Sequence, residues 1–181
     1  MQWTPTAIPD AILVEPVLCP DARGHFYEGY RRDVFTAHGI PHEFVQDNYS
    51  LSAKGVIRGL HYQIAPKAQA KLIQVLQGAV FDVAVDLRRG SPTFGRWVGY
   101  ELSAANHRIL YVPMGCAHGF CALADQTVVM YKVSEFYAPA HERGLRWDDP
   151  ALGIPWPPLD VPYRLSDRDR HYPTLADAAK P

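Results

Sequence analysis

Between residues 44 and 87 short apolar runs alternate with tight turns, and long polar side chains sit inside the runs. Gln46, Asn48 and Ser50 fall at alternate positions. The run 56–63 carries Arg58, His61 and Gln63. Lys71, Ile73 and Val75 alternate with Leu72, Gln74 and Leu76. From Val80 the pattern is strict, with Phe81, Val83, Val85 and Leu87 on one side and Val80, Asp82, Ala84 and Asp86 on the other. A period of two sends successive side chains to opposite faces of a strand. Ala53-Lys54-Gly55, Pro66-Lys67 and Gly78 break these runs. Many short strands with such turns predict a closed double sheet: a sandwich, a barrel or a jelly roll. Asn, Arg, His, Gln and Lys set among strands predict a polar pocket inside an apolar shell, suited to a small polar ligand.

The rest of the chain fits the same plan. Strands are expected at 12–17, 97–102, 109–112 and 117–123, and a short helix at 33–38 stopped by Gly39. A late strand is expected over 127–137, with Thr127, Val129, Tyr131, Val133, Glu135 and Tyr137 on one face. After Pro139 the texture turns to Pro- and Trp-rich loop, read as a covering segment over 139–181 within a single domain. Ser166 to Asp169 spells a capping box that opens a short helix.

Bulk properties exclude several function classes. The formal net charge of -1 gives no basic surface for nucleic acid or an acidic membrane. No apolar run has the length of a membrane span. The first ten residues lack the basic and apolar regions of a signal peptide. Three cysteines, Cys19, Cys116 and Cys121, form neither a C-x-x-C nor a secretory framework, so a reduced cytoplasmic protein is expected. Glycine-rich nucleotide loops and the G-x-S-x-G elbow are absent.

Individual polar residues carry the chemistry. His61 can exchange a proton near neutrality but needs a partner to fix its tautomer. Alone it reads as a histidine satisfied by backbone; the company of Arg58, Gln63 and Lys71 tips the balance. Strict alternation puts Arg58 on the face opposite His61, so a bulge or a reach from the rim is required. A metal at His61 is disfavoured because Gln63 stands where a second histidine would be and no H-x-H occurs. Lys71 facing inward is costly unless it meets an anion. Arg23, Arg58, Arg168 and Lys71 together suit a phosphate-bearing ligand. His118 can donate to a ligand oxygen or pack at a strand end. Tyr131 can deliver a proton or sit as a core tyrosine. Asp169 is the third helical residue of the capping box, and Asp47 and Asn48 can form a turn.

The motifs Q-D-N-x-S, G-V-x-R-G-L-H-Y-Q, Q-x-K-L, D-L-R-x-x-S-P-T-F-G, A-H-G-F, Y-x-P-x-x-E and L-S-x-x-D occur in this order. On these motifs the chain closely resembles the dTDP-4-dehydrorhamnose 3,5-epimerases, a match that covers about 16–173. The resemblance implies a cupin-type jelly roll that works as a homodimer on a dTDP-4-keto sugar, without metal or organic cofactor. It implies His61 as base, Asp169 as its partner carboxylate and Tyr131 as the acid on the opposite face. Lys71 and His118 are implied near the sugar and its enolate oxygen. Arg23, Glu28, Gln46, Asp47, Asn48, Arg58, Glu142 and Arg168 are implied in holding nucleotide, diphosphate or sugar, and Phe26 and Tyr137 as aromatics lining the site. Three positions depart from the family's pattern. Cys116 replaces a frequent aromatic and is expected to alter the pocket wall, Arg168 replaces a common Lys, and His25 stands at a variable position. A relative that inverts one carbon of a related sugar is the alternative.

Overall fold

The structure is a computed structural model and describes residues 1–178. The chain opens with strand β1 (Gln2–Pro5) and β2 (Ile12–Glu15), followed by a small hairpin of β3 (Cys19–Asp21) and β4 (Gly24–Phe26). Helix α1 (Arg32–Ala37) comes next. Then follow β5 (Gln46–Ser52), β6 (Ile57–Gln63), β7 (Lys71–Gln77), β8 (Ala79–Asp86), β9 (Trp97–Ser103), β10 (Ile109–Val112), β11 (Cys116–Ala122) and β12 (Thr127–Val133). The tail adds β13 (Glu142–Gly144) and helix α2 (Asp167–Arg170).

These strands form a six-stranded sheet, β1-β2-β10-β7-β12-β5, and a five-stranded sheet, β13-β6-β11-β8-β9. All pairings within them are antiparallel. Two such sheets packed face to face make the cupin-type jelly roll that the resemblance implies. Leu13, Ile73, Val75, Leu110 and Val129 of one sheet meet Val80, Ala84, Leu102 and Phe120 of the other. Burying each Val, Leu, Ile or Phe among them contributes roughly 1.5–3 kcal/mol.

Both sheets are also covered outside. Phe35 of α1 is fully buried against Val14, Leu72 and Tyr111. On the five-stranded sheet, Val83, Val85 and Leu87 pack under Leu145, Leu152 and Trp156 of the tail. Strand β8 is therefore buried on both faces, which is why both of its alternating sets are apolar apart from Asp82 and Asp86. Trp97 Nε1 donates to Leu152 O at 2.9 Å and pins the tail to the sheet edge.

Some expectations shift. The sequence missed β1, whose side chains are mostly exposed and offer no alternation of burial to read. It also missed the β3–β4 hairpin, which is exposed throughout. The late strand stops at Val133 instead of reaching Tyr137, and the chain beyond it is held by side chains. Gln46 Oε1 accepts from Tyr137 N at 3.0 Å, and Gln63 Oε1 accepts from Ala138 N at 2.8 Å. No helix among the described residues is long and apolar enough to cross a membrane.

Candidate active site

A cavity of about 860 Å³ opens between the two sheets. Gln46, Asn48, Lys71 and Tyr131 line it from the six-stranded sheet, and Arg58, His61, His118 and Glu142 from the five-stranded one. Arg164, Arg168 and Asp169 close it from the tail.

His61 reaches the cavity together with Arg58 because β6 is bulged. His61 pairs with His118 and Arg58 pairs with Phe120, so three steps on β6 match two on β11. The extra residue turns Arg58 onto the face of His61. Gly59 sits at the bulge with φ +125°. A Cβ there would meet Gly119 Cα at 2.6 Å and His118 O at 2.8 Å, so the strands close up only around glycine.

Asp169 completes the first acid–base pair. Ser166 caps α2 by accepting from Asp169 N at 3.1 Å, as the capping box predicts. The Asp169 carboxylate makes a different bond from the one a full capping box uses. It lies 2.7 Å from His61 Nε2 and accepts from Gly59 N at 3.4 Å. With Nε2–H donating to Asp169, Nδ1 is the nitrogen able to take a proton. Burial works to raise the Asp169 pKa, but the His61 hydrogen bond and charge and the Gly59 N–H outweigh it and hold it below the usual carboxylate value.

A second pair stands beside the first, on the adjacent strand of the same sheet. His118 Nε2 lies 2.9 and 3.1 Å from the two oxygens of Asp82, a fully buried carboxylate. Asp82 pairs with Phe120 across β8–β11, so His118 is its diagonal neighbour on the same face. Sequence reasoning missed Asp82 as a site residue. Its signal was a lone carboxylate in an apolar run, which must find a partner when buried.

Lys71 is buried at 6% exposure and its Nζ donates to His61 O at 3.1 Å. Burial pulls its pKa down to about 8, opposed by the charges of Glu142 and Asp82. Tyr131 stands on the opposite sheet from His61, with its ring 6.5 Å from that of His118. Burial raises its pKa, with Arg58 working the other way, so the phenol stays protonated.

The rim is hydrogen-bonded into shape. Tyr137 donates to Glu142 Oε2 at 2.8 Å, and Arg168 donates to the same oxygen at 2.5 Å. Gln46 Nε2 donates to Asn48 Oδ1 at 2.8 Å. Arg58 is braced by Ser52 Oγ and Leu51 O, each at 3.1 Å. Arg164, which sequence reasoning did not single out, borders the cavity beside them, placed by a parallel bridge to Val56.

Other expected site residues lie elsewhere. Asp47 is on the outer face of β5 and pairs with Lys132 Nζ at 3.0 Å, because alternation sends it away from Gln46 and Asn48. Arg23, Phe26 and Glu28 do not border this cavity. Arg23 is paired to Asp21 within its own hairpin and its side chain is 90% exposed, Phe26 is 71% exposed, and Glu28 lies 3.6 Å from Arg31. Cys116 is buried in the core between the sheets and forms no part of the cavity wall. Among the described residues no group of three or more His, Cys, Asp or Glu is arranged to hold a metal.

Comparison with known proteins gives a consistent picture. The family model for dTDP-4-dehydrorhamnose 3,5-epimerase matches residues 5–177. A dTDP-4-dehydrorhamnose 3,5-epimerase of Pseudomonas aeruginosa is 54% identical over 179 residues, covering 98% of each chain. A crystal structure of the Bacillus anthracis enzyme of that name, with TDP and PPi bound, is similar at 55% identity and a TM-score of 0.91, covering 96% of this chain and 98% of that one. A Legionella pneumophila dTDP-6-deoxy-D-glucose-3,5-epimerase in complex with dTDP-4-keto-L-rhamnose matches at 44% identity and a TM-score of 0.93, covering 97% and 93%.

Proposed function

The chain belongs to the dTDP-4-dehydrorhamnose 3,5-epimerase family, and we propose on that footing that it inverts C3 and C5 of dTDP-4-dehydro-6-deoxy-D-glucose to give dTDP-4-dehydro-L-rhamnose. One observation carries the mechanism: His61 and Tyr131 enter the cavity from opposite sheets. Inversion at carbon needs a proton removed from one face and returned to the other. A sugar lying between the sheets presents one face to each residue.

A hydrogen beside the 4-keto group is acidified because its anion delocalises onto oxygen. His61 takes that proton, and Asp169 stabilises the imidazolium that forms. The enolate oxygen meets the Lys71 cation and His118, which donates from Nδ1 as the imidazolium whose Nε2–H Asp82 holds. Tyr131 then protonates the carbon from the far side, and solvent resets both groups. The 4-keto group flanks C3 and C5 alike, so one pair serves both carbons in turn. Gln46, Asn48, Arg58, Tyr137, Glu142 and Arg168 are assigned to the nucleotide, diphosphate or sugar.

A one-carbon epimerase is the second reading. The Pseudomonas aeruginosa relative, named a 3,5-epimerase at 54% identity, favours the double inversion. We place the enzyme in the cytoplasm and read it as a homodimer. A second copy gives the exposed Arg23, Phe26 and Glu28 a cavity to reach.

The deciding experiment incubates dTDP-4-dehydro-6-deoxy-D-glucose with the enzyme in D2O. Deuterium at both carbons is expected. Label at one carbon would support the second reading, and its absence from both would overturn the catalytic assignment. Sedimentation of the purified chain tests the dimer, and a monomer at working concentration would refute it.

A further inference from the structure

Tyr172 does not border the cavity, yet it touches the group on which the reaction depends. Its ring centroid lies 5.6 Å from that of His61, at an interplanar angle of 71°. That is an edge-to-face contact. The Arg168 guanidinium lies 6.0 Å from the centroid of the Tyr172 ring. Tyr172 follows Asp169 by three residues and Arg168 by four, so α2 and the residues just after it deliver all three to one spot.

Space for the ring has been left open on β13. Gly144 pairs with His61 in the β13–β6 ladder. A Cβ at Gly144 would come within 2.4–2.5 Å of three Tyr172 ring atoms. The backbone at Gly144 does not have a positive φ, so the glycine serves for room and not for conformation. Burial lifts the Tyr172 phenol to about 12, so the ring stays uncharged beside His61 and Arg168.

The contact restrains something Asp169 leaves free. The hydrogen bond at 2.7 Å fixes where His61 Nε2 lies. One bond at the ring tip does not fix the tilt of the ring plane, and χ2 of histidine is a soft torsion. A flat wall at the ring removes that freedom.

We propose that Tyr172 is a positioning residue that fixes the ring plane of His61, with Gly144 as the gap that admits it. The inference rests on His61 being the base of the proposed epimerisation. A misplacement of about 1 Å at a reacting group costs up to ~100-fold in rate. Tyr172→Ala should lower kcat for exchange at C3 and C5 about tenfold, by that reasoning, with KM nearly unchanged, because Glu142 still holds Arg168. Tyr172→Phe should restore the wild-type rate, since the ring and not the hydroxyl does the positioning. Gly144→Ala should also lower kcat, and the double variant Gly144→Ala/Tyr172→Ala should be no slower than Tyr172→Ala alone.

Proton NMR of the free enzyme reads the same claim without substrate. The His61 Nε2 proton shared with Asp169 should be visible in wild type and in Tyr172→Phe, and lost to solvent exchange in Tyr172→Ala. Tyr172→Leu, which keeps bulk at the site, carries both tests if the alanine variant does not fold. An unchanged kcat together with an unchanged proton signal overturns the proposal, as does a Phe variant as slow as the Ala variant. Wild type without exchange at either carbon would sink the epimerase reading instead, and the NMR signal would still decide whether Tyr172 orders His61.

Discussion

The cavity holds two histidine–carboxylate pairs of the same composition and opposite character. His61 and His118 are register partners on adjacent strands, and each gives Nε2 to an aspartate. The His61 side chain is 23% exposed, and its carboxylate arrives from a tail helix 108 residues along the chain. The His118 side chain is 7% exposed, and its carboxylate comes from the neighbouring strand with no exposure at all. A base that must return its proton to solvent needs the first arrangement. A fixed donor to a developing enolate needs the second, where nothing has to move and water is excluded. The difference lies in the surroundings and not in the residue types.

The largest expected effect is on the exposed pair. His61→Ala should cost ~10⁴-fold or more in deuterium exchange, near the top of the range for a general base. His118→Ala should cost about 100-fold, the lower end for loss of one oxyanion donor. Equal losses in solvent-exchange assays would erase the distinction. Asp169→Asn should come next, at about 10³-fold in kcat, because it spoils tautomer and charge while leaving the shape.

Asp82→Asn should show its main effect in unfolding rather than in turnover. It replaces a buried, hydrogen-bonded carboxylate and should cost about 1–3 kcal/mol by denaturant titration. A larger loss of turnover than Asp169→Asn would make His118–Asp82 the working pair.

Two smaller effects depend on pH. With Lys71 at about 8, its cation is lost as pH rises through that value. Turnover should therefore fall above pH 8 in rate–pH profiles, and this limb should be absent from the slower Lys71→Gln enzyme. Asp169 is lowered in the folded state, so the unfolded chain binds more protons around pH 4. Its contribution to stability is present above that pH and is lost as pH falls through the folded value. Acid titration of Asp169→Asn should show a shallower loss of stability than wild type. An identical acid limb in the two proteins would show that the His61–Asp169 bond adds nothing to folding.

How far the sequence could be read followed burial. The alternating sets from Val80 marked β8 and an unbroken apolar run marked β10, because both strands meet dry surroundings on both faces. The exposed β1 and the β3–β4 hairpin left no such trace. Arg58 could not be assigned a face, since a bulge is a change of count that apolar pattern does not encode. Asp169 was read as a helix cap, and the cap is real, but only its N–H serves it. The family resemblance supplied the pairing with His61, which spans a distance no local pattern reaches. Asp47 was assigned to the ligand with its neighbours although period two sends it outward, where Lys132 holds it. Arg164 gave no local signal because its position depends on one isolated bridge.

The bulge at Gly59 makes the contents of the cavity a matter of parity. With an odd number of extra residues on β6, Arg58 and His61 share a face; with an even number, they part. A variant at Gly59 that straightened β6 would preserve every functional side chain in the sequence and still send one of these two out of the cavity. The chain could thus lose its ligand cradle without losing any residue that touches the ligand, and a comparison that checked only for the presence of His61, Arg58, Tyr131 and Asp169 would not notice.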